Sequence, residues 1–231
     1  MLQTAERLSM TVTYFILEAP DTERLLAEAP NEQHEIVRCP SGHMSVYRRI
    51  GDLALEVKHN KKDEKIIWAW ISGCVLHKSI LAEFEHHGFT GYRLRPATVR
   101  FRDGTVSDQY EELVVIGWAG AARPESGIRP TKKCEICHTI RYSAPTDCSQ
   151  IIDWDQWTGD DFFVVWPLPR NILITERVAE LLLKLGVKSY RLGGFQDFHP
   201  VIWTTGILPL RLSNYLPADL VAKYGPPLGL E

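Results

Sequence analysis

The stretch WPLPRNILITERVAELLLKLGVKSYRL, Trp166 to Leu192, reads as strand, helix, strand. The apolar run Asp161 to Trp166 leads into it and is of strand type, ended by Pro167 and Pro169. Thr175 is placed to cap a helix, and Glu176 suits the positive first turn. Val178, Leu181, Leu182 and Leu185 recur at helical spacing and give one apolar face. Gly186 follows, where a left-handed residue ends a helix at little cost, and Val187 to Leu192 continues as a strand.

The stretch has an echo 98 positions earlier. Trp68, Gly88, Tyr92, Arg93 and Leu94 match Trp166, Gly186, Tyr190, Arg191 and Leu192, five identities over 27 positions. Apolar positions also fall in register, Ile80 on Val178 and Phe84 on Leu182 among them. The pattern predicts an internal duplication. The shared Trp, Gly, Tyr and Leu have the character of core and cap residues, and Arg93 and Arg191 that of surface ion-pair partners.

The same repeat extends upstream at a shift of 95. Cys39 falls on Cys134, Gly42 on Cys137, His43 on His138 and Tyr47 on Tyr142. Each copy therefore opens with a knuckle, and two Cys-x-x-Cys turns brought together make a four-sulfur zinc site with bonds of about 2.3 Å. These features resemble the double-CXXCG motif family, a bacterial paralogous family that includes immunity proteins encoded beside toxins delivered between cells. The resemblance rests on Cys39-Pro-Ser-Gly42, on Cys134-Glu-Ile-Cys137, and on Trp157 to Phe163 running through Thr175 to Glu180 and Gly186; it covers about residues 12 to 195. The chain departs from the family pattern at Gly42, where the second cysteine of the first motif belongs, and at His43 and His138, where each motif has glycine. The resemblance thus implies Cys39, Cys134 and Cys137 as ligands. His43 is a candidate fourth ligand, and His138 and Cys148 are others. Zinc is the expected metal.

Composition narrows the function classes. At 231 residues and 45% hydrophobic, the chain is long and apolar enough for a sizeable core. The net charge of -3 argues against general nucleic-acid binding. No run of about 18 apolar residues predicts a membrane span, and MLQTAERLSM has no signal-peptide pattern. Five cysteines without an export signal point to a reducing, cytoplasmic setting and to thiols or metal.

Along the chain, strands are expected at 12–17, 36–39, 45–49, 53–58, 97–101, 112–118 and 201–205, a turn at Asp103-Gly104, a short helix at 217–224 and a mobile end after Gly225. His86-His87 suits a helix C-terminus. The stretch Asp153 to Asp161 mixes aspartates with Trp154 and Trp157, either as loop caps or as an acidic-aromatic patch for a partner. No nucleophile, base and orienter motif is present.

These observations predict an α+β protein of two duplicated knuckle-plus-strand-helix-strand units packed into one body. Residues 1–118 form the first unit, 119–130 a linker and 131–231 the second unit with its tail. The expected function is an immunity or antitoxin protein that neutralises a cognate toxin by stoichiometric binding, without catalysis. Trp154, Asp155, Trp157, Asp160 and Asp161 are the expected partner-binding residues. The alternatives are a metal-dependent enzyme and a zinc-knuckle RNA-binding adaptor.

Overall fold

A computed structural model describes residues 13–20, 26–30, 33–41, 45–69, 73–197, 207–210, 212–228 and 230. The fold is α+β, as expected. The strands β1 (Tyr14–Glu18), β2 (Leu26–Ala27), β3 (Gln33–Arg38), β4 (Ser45–Ile50) and β5 (Leu53–Glu56) come first. A hairpin of β6 (Ile66–Ala69) and β7 (Gly73–His77) leads into α1 (Lys78–His86), then β8 (Tyr92–Arg100), β9 (Val106–Val115) and β10 (Gly117–Ala121). The short strands β11 (Pro130–Lys133) and β12 (Ile140–Tyr142) come next. A second hairpin of β13 (Phe162–Trp166) and β14 (Ile172–Thr175) leads into α2 (Glu176–Lys184) and β15 (Arg191–Gly193). The chain closes with β16 (Ile207–Leu210) and α3 (Ala218–Tyr224).

The two helices span the same positions under the 98-residue shift, and both end at a left-handed glycine, Gly88 at φ 63° and Gly186 at φ 64°. A strand not foreseen in the sequence, β7 or β14, precedes each helix, so each unit is hairpin, helix, strand. Thr175 precedes α2 but does not cap it with its hydroxyl, which donates instead to Asp161 Oδ1 at 2.8 Å. Arg93 pairs with Asp219 and Arg191 with Glu18, as exposed strand-end arginines should.

The two large sheets have matching orders. One runs β2-β6-β7-β9-β8-β5 and the other β10-β13-β14-β1-β15. Both begin with a parallel pair and continue antiparallel through the next three junctions. The strand between hairpin and exit strand is β9 in the first sheet and β1 in the second, so the second sheet takes this strand from the N-terminal half. The registers agree on both flanks. Tyr110 faces His77 and Tyr14 faces Thr175; Leu113 faces Leu94 and Leu17 faces Leu192. His77 and Thr175, like Leu94 and Leu192, are equivalent under the shift. The hairpins differ: Val75 faces Ile67, whereas Leu173 faces Phe163, a slip of two residues relative to the shift. An even slip keeps every side chain on its own face.

Alternation along β6 and β7 builds two cores on the six-stranded sheet. Ile66, Trp68, Cys74 and Leu76 join α1 and the whole five-stranded sheet in one cluster, while Ile67 and Val75 join Leu55, Val99 and Tyr110 in a smaller one. The larger cluster takes residues from both halves, and Trp68 Nε1 donates across to Ser189 O at 2.7 Å.

The expected linker 119–130 is corrected. Its first part belongs to β10, which is buried and parallel to β13. The small residues there reflect close approach, not freedom: a Cβ on Gly117 would overlap the Phe162 carbonyl oxygen. At the end of the chain Pro226–Leu228 forms a 3-10 turn, and Leu228 N donates to Gly225 O at 3.0 Å. The short helix at 217–224 is observed as α3; the strand expected at 201–205 lies outside the described residues.

Candidate metal centre

Each knuckle belongs to a hairpin. Cys39 follows β3 and precedes β4; Cys134 and Cys137 lie in the turn between β11 and β12. The fold brings the three thiols together, 7%, 8% and 7% exposed for Cys39, Cys134 and Cys137. Cys39 Sγ lies 3.6 Å from Cys134 Sγ, and all three sulfurs fall within 4.8 Å of one another. A tetrahedron with bonds of about 2.3 Å has an edge of about 3.8 Å, so the spacing suits one ion.

The second knuckle is held by its own backbone. His138 N donates to Cys134 O at 2.9 Å, and Cys134 N donates to Thr139 O at 3.0 Å. His138 has φ 54°, the left-handed conformation that favours glycine. Histidine thus occupies the conformation that explains glycine at this place in a knuckle. The Cys134 thiol is pulled down to about 6, first by the Cys137 N–H, then against burial by the Ile136 N–H, the Ser41 hydroxyl and Cys137. At Cys39 the Ser41 hydroxyl, 2.8 Å away, pulls down, but burial and the thiols of Cys137 and Cys134 outweigh it and the net shift is upward. Cys137 Sγ is 3.2 Å from Thr139 Oγ1.

Among the described residues the group that could hold a metal has these three members. His43, the expected fourth ligand, lies outside the described residues, as does Gly42. His138 is exposed and Cys148 is half-buried in a 3-10 turn; neither belongs to the group.

The expected partner-binding residues do not form one exposed patch. Residues 154–156 form a turn, and Trp154 and Trp157 lie against each other with ring centroids 5.6 Å apart. Both are half-buried on Phe163, and Trp157 Nε1 donates to Asp160 O at 3.2 Å. Asp155 is exposed, while Asp160 is half-buried and accepts from the Thr158 hydroxyl. Asp161 is a seam residue rather than a surface one, 5% exposed. Its carboxylate accepts from Thr90 N at 3.2 Å, Thr175 Oγ1 at 2.8 Å and Arg177 at 3.4 Å. It sits where Phe162 N donates to Thr90 O at 3.0 Å, joining the two halves. His86 and His87 end α1 as expected, and His87 Nδ1 lies 2.8 Å from Glu83 O.

A groove of about 810 Å³ was not foreseen in the sequence. It lies apart from the thiols, and its arginines Arg49, Arg95 and Arg170 come from β4, β8 and the turn after β13. No periodicity or spacing links three such distant positions.

No protein-family model matches this chain, and no curated protein matches its sequence.

Proposed function

We propose that the chain is a cytoplasmic immunity protein of the double-CXXCG type, which neutralises a cognate toxin by binding it one to one. The observation that carries the reading is the meeting of three buried thiols from two knuckles 95 residues apart in sequence. Zinc on Cys39, Cys134 and Cys137 clasps the β3-β4 hairpin to the β11-β12 hairpin and contributes folding free energy. Matching strand orders and registers in the two sheets support descent of both halves from one duplicated unit. The thiols are buried and apart from the groove, which favours a structural ion over a catalytic one.

Co-expression with the toxin encoded beside this gene tests the proposal. Cells should survive with the protein and die without it, and the two proteins should co-purify as a one-to-one complex. Equal survival in both cultures rejects immunity. One observation favours a metal-dependent enzyme as second reading: the described residues bring three ligands together, the number of protein ligands that catalytic zinc sites use. Turnover of a substrate that stops on chelation would move that reading to first place. An RNA-binding adaptor is disfavoured by the net charge of -3.

A further inference from the structure

The groove lies where β9 of one sheet meets β13 and β14 of the other, with residues 213–222 along one wall. Its floor is apolar: Leu113, Val115, Val164 and Ile172 are each at most 9% exposed. Arginine predominates among its charged side chains. Arg49 is bound to Glu112. Arg95 and Arg170 have no carboxylate partner among the described residues. The Arg170 guanidinium lies 5.9 Å from the Tyr215 ring centroid, a contact that orients the group and leaves its N–H donors available. Among the described residues, Asp52 is the only lining carboxylate besides Glu112.

A guanidinium matches a carboxylate with two parallel hydrogen bonds, and among the described residues neither Arg95 nor Arg170 has an internal carboxylate to release first. A small anion would satisfy an arginine but leave most of an 810 Å³ groove and its apolar floor in water. A polypeptide segment with acidic residues flanking an apolar one covers both features. We propose that this groove binds an acidic segment of a protein partner, its carboxylates on Arg95 and Arg170 and its apolar side chain on the floor. The proposal rests on the binding-protein reading above and names the chemistry of the bound surface.

Selection from a phage-displayed random dodecapeptide library tests it, with the R95Q/R170Q double variant as counter-target. Selected peptides should carry at least two Asp or Glu around an apolar residue. Replacing either arginine by Gln should weaken binding of the selected peptide tenfold or more, as should Asn and Gln in place of the peptide's acids. Both arginines are exposed, so thermal unfolding of the variant should match that of the parent. If the Gln variant does not fold, R95K/R170K decides the matter: it keeps charge but loses the fork and should bind at intermediate strength. Failure to select any peptide, selection of non-acidic ones, or full affinity in the variants would overturn the proposal. Complete displacement of the peptide by millimolar inorganic phosphate would also overturn it, in favour of a small-anion site. If R95Q/R170Q still protects cells against the toxin, the groove proposal falls and immunity stands. If acidic peptides bind but the parent protein protects against no neighbouring toxin, immunity falls and the groove stands.

Discussion

Asp161 separates a structural role from a binding one. In Asp161→Ala, the Thr175 hydroxyl loses its acceptor in a residue 8% exposed, a change that costs about 1.5–3 kcal/mol for a bond to a charged group. Thr90 N–H loses a part-buried acceptor, which adds about 1 kcal/mol. Arg177 is 63% exposed at its side chain, so its ion pair is screened and adds at most about 0.5 kcal/mol. The total is about 3 kcal/mol, which for a chain of this length lowers Tm by roughly 6–12 °C. Asp161→Asn keeps an acceptor oxygen and the side-chain shape and should cost about 1 kcal/mol. Urea unfolding followed by tryptophan fluorescence reads both variants. An Ala variant within about 0.5 kcal/mol of the parent would refute the seam assignment. A variant that folds normally but loses its partner would return Asp161 to the binding surface.

Other perturbations have equally definite outcomes. Gly88→Ala and Gly186→Ala should each cost about 1 kcal/mol in urea unfolding, because the added Cβ meets nothing within 4 Å and only the left-handed backbone is strained. Removing Arg93 or Arg191 should cost less than about 1 kcal/mol, with a smaller effect at high salt, since both are exposed. Cys74 is fully buried and its thiol is pushed far up by desolvation and then by Glu112, so Ellman's reagent should not reach it before unfolding. Half-buried Cys148 should react first in the metal-loaded protein. Cutting the chain at the Asp103-Gly104 turn should give fragments that fold only together, because the first sheet then needs β9 from the second fragment and the second sheet needs β1 from the first.

Local features were legible in sequence where a short-range rule governs them. Helical periodicity and a terminal glycine located α1 and α2, and the 95-residue cysteine spacing anticipated the meeting of three thiols. Features set by tertiary contact were not. Strands β7 and β14 are five and four residues long, and their apolar character runs on into α1 and α2, so the hairpins read as single strands. Ala119 to Ala121 looked like a linker because packing in a buried strand demands the same small residues as flexibility does: Ala119 is fully buried, and a Cβ on Gly120 would overlap the Gln156 side chain. The insertion of β1 between β14 and β15 is a pairing across the whole chain, which no local window records. Asp161 has the composition of a surface loop, but its burial comes from Thr90 and Thr175, 71 and 14 residues away.

The central claim is that Cys39, Cys134 and Cys137 act together on one ion. Metal content per chain, measured by mass spectrometry on protein purified without added metal, tests it most directly when compared with Cys39→Ser and Cys134→Ser. The account predicts one zinc per chain in the parent and loss of zinc in both variants, with a lower unfolding midpoint in each. Metal-free parent protein of unchanged stability after zinc addition, or a full equivalent of zinc retained by Cys39→Ser, would contradict it.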